Sequence, residues 1–207
     1  MRSRPHGCAE HRCASEAAER ASGTDGGEAQ RNARRGRESA LDTRAGGPPI
    51  EIVHRSVPET RVVAISEDIP LDSLGAWFRR GIATLQSIAE NNDPSSTGAY
   101  GGVWPNELFT DEYGAATVYL TVGPGFDDGT IGDDAAVLDL PAVELAVATH
   151  HGPDAAVPRA YAALGEYVAR HELAIDAPVR ETYVTGFPGV DRIVVMEIGW
   201  PVFRVSR

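Results

Sequence analysis

The chain contains no lysine: all 19 of its basic residues are arginine, which reads as a bias of the coding DNA rather than a recognition device. It has no apolar run of about 18 residues, the length a membrane-spanning helix needs, so no membrane partner is expected. Its N-terminus carries arginines but no apolar core, which excludes a secretory signal. Cysteine is confined to Cys8 and Cys13. The rest of the chain has none, so disulfides play no part in the fold, and this usage fits a cytoplasmic location. Positive charge is also short. The net charge of −11 opposes approach to a phosphate backbone, so no direct nucleic-acid partner is expected.

Composition changes sharply near residue 48. Residues 1–47 hold 9 Arg against 7 acidic residues, with Leu41 as almost the only large apolar side chain. A segment of that kind buries too little surface to offset its ordering entropy, so 1–48 is expected to be a disordered Arg/Gly/Ala-rich tail. His6, Cys8, His11 and Cys13 fall inside it. They lack a second Cys/His pair at finger-like distance, so no metal site and no cofactor are expected. The remainder, 49–207, carries 10 Arg against 23 acidic residues and nearly all the apolar content, and is read as one domain.

Within that domain one pattern occurs twice. ETRVVAI (59–65) reads as a strand. Asp72 is placed as the N-cap of a helix on which Leu74, Trp77, Phe78, Ile82, Leu85 and Ile88 recur at helical spacing. Strands follow at AYGGVW (99–104) and AATVYLTV (115–122), then a polar linker over 123–134. The second copy runs from AVELAVATH (142–150) to a helix carrying Tyr161, Leu164, Val168 and His171, then to RETYVTG (180–186) and RIVVMEIGWPVF (192–203). The fold class is α+β: a duplicated β-α-β-β unit forming one antiparallel-rich sheet, with two helices on one face and a ligand cleft on the other.

Glu197 is the chemically conspicuous residue, a carboxylate inside an apolar strand. Alternation puts it with Ile193, Val195 and Gly199, opposite Val194, Met196, Ile198 and Trp200. A buried ionised carboxylate is costly unless paired, so it is either a structural residue with a cationic partner or the floor of a ligand pocket. If the larger apolar set meets the helices, Glu197 faces the cleft. Aligning the halves by their last strands sets Thr117 against Glu197 and Tyr119 against Gly199. Tyr183 lies mid-strand with Glu181 and Thr185 on its face, and Tyr100 shares a face with Trp104. The candidate ligand-binding set is therefore Glu197, Tyr183, Tyr119, Trp104, Tyr100 and Thr117. No Ser-His-Asp or metal constellation accompanies it, and His150 and His151, beside Gly152, read as turn residues.

AVATHHGP, AYAALGEYVARHEL, PVRETYVTG and MEIGWPVF together resemble the GyrI-like effector-binding domain found in BmrR-type MerR and some AraC-type regulators. EIVHRSVPETRVVAI and GGVWPNELFTDEYGAATVYLTV extend the resemblance across 50–204. It implies the same duplicated fold with a ligand cleft between the copies, Glu197 at the cleft base and Tyr183 in its wall. Residues 1–49 are too short and too polar for the winged helix-turn-helix and dimerising helix that a MerR-type regulator places before this domain. The expected function is thus a stand-alone small-molecule sensor without a DNA-binding domain of its own. Its ligands would be lipophilic or aromatic cations, as in multidrug binding, because a carboxylate beside aromatic faces offers charge pairing and cation–π attraction together. Two alternatives stand beside it: a small-molecule hydrolase using Glu197 and Tyr183, and an interaction module whose acidic surface meets a protein partner.

Overall fold

The computed structural model describes residues 49–171 and 173–203; the tail expected over 1–48 lies outside the described residues. Eight strands form one sheet: β1 Ile52–Val57, β2 Thr60–Pro70, β3 Thr97–Trp104, β4 Tyr113–Val122, β5 Ala136–Leu140, β6 Val143–Pro153, β7 Val179–Thr185 and β8 Ile193–Pro201. Their order is β1-β6-β8-β7-β3-β4-β2-β5, and every neighbouring pair is antiparallel. The helices are α1 Leu74–Glu90, α2 Asn106–Thr110 and α3 Val157–Arg170. The expected α+β duplication is present, with one short helix more than the sequence pattern indicated.

The topology follows the duplication. β2, β3 and β4 form one half and β6, β7 and β8 the other, joined by the β3–β7 pair at the centre of the sheet. Each half's leading strand crosses to its neighbour: β1 pairs with β6, and β5 with β2. Sequence alternation did not show β1 or β5. Both are edge strands bonded on one side only, so they carry mixed rather than alternating burial.

Alternation does orient the inner strands. On β8, Val194, Met196 and Ile198 are fully buried, and facing them across the register are Ala148, His150 and Tyr183. α1 covers the sheet with Trp77, Phe78, Ile82, Leu85 and Ile88, and α3 does so with Ala160, Leu164 and Val168. These side chains share one core with Val63, Val118, Leu120, Val194 and Met196, so both long helices lie on the same face. A smaller cluster on the other face joins Val62, Ala64, Tyr119 and Leu140.

The start of α1 differs from expectation. Asp72 sits in a 3-10 turn, Leu71–Ser73, where its carboxylate accepts from the Ser73 hydroxyl at 3.1 Å; Ser73 occupies the N-cap position without a side-chain cap bond. At the other end the sequence chemistry is direct. Asn91 and Asn92 donate their side-chain amides to the carbonyls of Ser87 and Ile88 at 2.8 and 2.9 Å, which satisfies groups the ending helix leaves open. His150 and His151 prove to be strand residues, since β6 runs through to Pro153; His150 is buried, with Nε2 3.1 Å from the Pro153 carbonyl.

The two glycines of α1 separate helix propensity from packing. A Cβ at Gly81 would lie 2.7 Å from Cγ2 of fully buried Val118, whereas one at Gly75 would meet only the end of Arg79 at 3.7 Å. Gly75→Ala should stabilise the protein by roughly 0.5 kcal/mol. Gly81→Ala should destabilise it by about 1 kcal/mol or more, because overpacking between α1 and β4 outweighs the same propensity gain. Urea denaturation of the two variants measures both.

Candidate functional site

The strand β7 carries the chemistry. Its register places Val179, Glu181 and Tyr183 toward the helices and Arg180 and Thr182 toward the helix-free face. Glu181 is the one buried acidic side chain among the described residues, at 6% exposure. Its Oε2 accepts from Trp104 Nε1 at 2.8 Å and from the Tyr183 hydroxyl at 2.7 Å, and its Oε1 accepts from the Tyr161 hydroxyl. Three neutral donors thus hold the carboxylate, and no basic side chain among the described residues forms an ion pair with it. Burial pushes the Glu181 carboxyl above its ordinary value; the hydrogen bonds from Tyr161, Tyr183 and Trp104 oppose that rise without cancelling it. Burial and the adjacent carboxylate push the phenols of Tyr161 and Tyr183 upward as well, which keeps both as donors.

Space for this cluster comes from Gly102, directly opposite Glu181 on β3. A Cβ there would lie 2.5 Å from the Trp104 ring and 2.8 Å from the Tyr183 hydroxyl. Aromatic edges lock the donors in place: Trp77 and Phe78 lie 6.5 and 6.3 Å from Trp104, and Phe78 is edge-on to Tyr183 at 5.5 Å.

The cluster is the floor of a cleft of about 770 Å³ that opens on the helical side of the sheet. α1 contributes Leu74, Gly75 and Phe78, α2 Asn106 and Phe109, and α3 Val157, Pro158 and Tyr161. Trp104, Val179, Glu181, Tyr183 and Trp200 come from the sheet, and Pro188–Gly189 of the β7–β8 turn complete the rim. Phe109 is half exposed at 49%, an apolar ring at the mouth with no core to fill.

The residues chosen from the sequence separate between two faces. Trp104 and Tyr183 line the helix-side cleft. Tyr100 faces the same side but packs its ring edge-on against Phe187 at 5.4 Å. Glu197, Tyr119 and Thr117 lie on the helix-free face, as alternation required. Glu197 and Tyr119 line a separate hollow of about 130 Å³, and Thr117 spends its hydroxyl on Ser66 at 2.8 Å. Glu197 is not an isolated buried charge: Arg55 of β1 clamps it with two bonds of 2.5 and 2.9 Å, and 23% of the side chain is exposed. The carboxylate of the aromatic cleft is instead Glu181. Its signal was its place between Val179 and Tyr183 on one face of PVRETYVTG, and Tyr161 had shown only as a helix-spacing residue. Among the described residues no group of three His, Cys, Asp or Glu gathers to hold a metal, and no helix is long and apolar enough to cross a membrane.

A sheet with both helices on one face, and between them an aromatic cleft floored by a carboxylate, defines a small-molecule-binding domain. Residues 49–202 match the model of the GyrI-like small molecule binding domain, and the chain belongs to that family. Its fold is similar to the C-terminal domain of EcmrR, at 17% identity over 75% of this chain and 99% of that one, TM-score 0.58. SAV2435 bound to tetraphenylphosphonium is similar at 20% identity, covering 74% of this chain and 94% of that one, TM-score 0.52. A hydrolase from Listeria innocua is similar at 14% identity, covering 76% and 94%, TM-score 0.55. At these identities the likeness is one of fold. No protein with a curated description matches the sequence.

The buried carboxyl makes stability depend on pH. The folded chain holds the Glu181 proton more tightly than the unfolded chain, so this contribution is complete below the ordinary carboxyl value of about 4.3 and is lost as pH rises through the raised folded value. Glu181→Gln removes that titration. The wild type should therefore lose stability relative to Glu181→Gln as pH increases across this window, measured by urea denaturation at a series of pH values. Glu197→Gln should behave differently, because Arg55 stays 45% exposed when its partner is lost. It should cost about 1 kcal/mol or less.

Proposed function

We propose that the helix-side cleft binds lipophilic organic cations and that Glu181, rather than Glu197, is their counter-charge. The observation that carries this reading is a buried carboxylate held by Trp104, Tyr161 and Tyr183, with no cationic partner among the described residues, at the floor of an apolar cleft. Such a group is costly to ionise in the empty protein. A cation entering over it supplies the missing opposite charge, while the faces of Trp104, Tyr183 and Trp200 add cation–π attraction and apolar contact. The cleft offers far more apolar than polar wall, which favours bulky hydrophobic bodies over small hydrated ions. Family membership supports a sensing role of the kind effector domains of transcription regulators perform. The similar fold of SAV2435 bound to tetraphenylphosphonium supports the choice of ligand class.

The charge state gives the reading its own signature. Because the empty site holds a proton on Glu181 more tightly than an ordinary carboxyl does, a cation must displace that proton, and affinity should rise with pH until the carboxyl is ionised without help. Tetraphenylphosphonium titrated into the protein should quench Trp104 saturably at a Kd of the order of 1 µM, about 8 kcal/mol. Neutral triphenylphosphine oxide should bind at least tenfold more weakly. Glu181→Gln should lower the cation's affinity tenfold or more, about 1.4 kcal/mol, and abolish its pH dependence. Equal affinity for cation and neutral analogue rejects the counter-charge role.

A hydrolytic reading rests on the same cluster, because a carboxyl that retains its proton beside two phenols is equipped as a general acid. Product formation from a bound ligand, lost in Glu181→Gln while binding persists, separates catalysis from sensing.

A further inference from the structure

The helix-free face carries a second polar hollow, with the opposite charge requirement. About 130 Å³ in size, it is walled by the apolar side chains of Val57, Leu140, Leu145 and Val147 and by the polar ones of Arg55, Glu197, Arg180, Tyr119 and three threonines. Its charges do not balance. Arg55 and Glu197 neutralise one another through their two-bond clamp. Arg180 is left over: it is half-buried, donates one N–H to the Pro141 carbonyl at 2.8 Å, and meets no carboxylate among the described residues. Burial accordingly draws its guanidinium below the usual value. A partly desolvated guanidinium with unused donors is unfavourable alone and favourable beside a carboxylate, which its planar fork grips in two places. The neighbouring hydroxyl of Thr121 adds a donor of the right kind.

We propose that this hollow is a binding site for a small organic monocarboxylate with a compact apolar body, its carboxylate on Arg180 and its body against Leu140, Leu145 and Val147. The proposal is independent of the cleft around Glu181, since the two sites lie on opposite faces of the sheet. The class of ligand follows from three features of the hollow. Its single uncompensated charge is positive, its volume limits the ligand to a body of about one ring, and Leu140, Leu145 and Val147 give it an aliphatic wall. A phosphate ion satisfies the first feature and leaves the aliphatic walls unused.

Benzoate is the probe, and amide NMR of the full chain is the readout. Benzoate should perturb residues of this face saturably, including Thr182, Gly199 and Val147, in the millimolar range. Benzamide, equal in shape but uncharged, should bind at least tenfold more weakly, and so should inorganic phosphate. Arg180→Gln should weaken benzoate at least tenfold, and Arg180→Lys should restore part of the loss. Tetraphenylphosphonium affinity in these variants should stay within twofold of wild type, which also confirms that they are folded. If that cation fails to bind wild type, the benzoate comparison still stands, because its resonances lie on the other face. Benzamide binding as well as benzoate in the wild type overturns the site even where Arg180→Gln fails to fold. Perturbations centred on Trp104 or Tyr161, phosphate binding as tightly as benzoate, or no saturation by 50 mM (on the order of 2 kcal/mol) overturn it too.

Discussion

The buried carboxylate of Glu181 is the constraint around which the site is arranged. An ionisable group at the centre of a sheet, nearly closed off from solvent, must be compensated by something. The protein compensates it with three neutral donors from three elements: Trp104 on β3, Tyr161 on α3 and Tyr183 on its own strand. Neutral donors satisfy lone pairs but supply no net positive charge, so the group remains pushed toward its protonated form. An arginine in place of any of them would have settled the charge and closed the site. In the function proposed above, leaving the compensation incomplete is what lets an external cation complete it, so that ligand charge becomes part of the recognition.

The duplicated fold explains why such a cluster sits where it does. The halves meet at the β3–β7 pair, and Glu181 lies against Gly102 across that pair. α1 and α3 each cover their own half: α1 packs on β2 and β4, and α3 on β6 and β8. Neither helix therefore closes over the central strands β3 and β7, and the gap between them becomes the cleft. Exchange of the leading strands, β1 onto β6 and β5 onto β2, ties the halves at their outer edges. The fold is held at its seam and its rims while its middle stays open on the helical side. Gly102 belongs to the same economy of space, because any side chain there would strike the ring and hydroxyl that hold the carboxylate.

Much of this was legible in the sequence, and the errors have physical causes. Helical spacing from Leu74 to Ile88 and strict alternation along β8 fixed which side chains turn inward, and the orientation of Glu197 away from Trp200 follows from period two alone. Alternation does not say which face is hollow. The expectation of two helices on one face and a cleft on the other put the aromatic cleft on the bare face with Glu197, whose carboxylate Arg55 holds in an ordinary ion pair. Arg55 lies on β1, an edge strand whose pattern carries no periodic signal, and its partner is 142 residues away. Glu181 was overlooked for a related reason. In PVRETYVTG it stands between Arg180 and Thr182 and reads as part of a polar, half-exposed strand. Only the three-dimensional pairing of β7 between β3 and β8 shows that one side of that strand is sealed.

The alternation of β7 also links the two faces. Arg180 and Thr182 point one way while Glu181 and Tyr183 point the other, so one central strand turns a guanidinium to one face and a carboxyl to the other. The strand is hydrogen-bonded on both sides, to β3 and β8, and Tyr119 adds a bond from the helix-free face by donating its hydroxyl to the Glu181 main-chain carbonyl at 3.2 Å. A backbone held at this many points moves little when either side chain is engaged. Engagement of one face is therefore not passed to the other by movement of the strand.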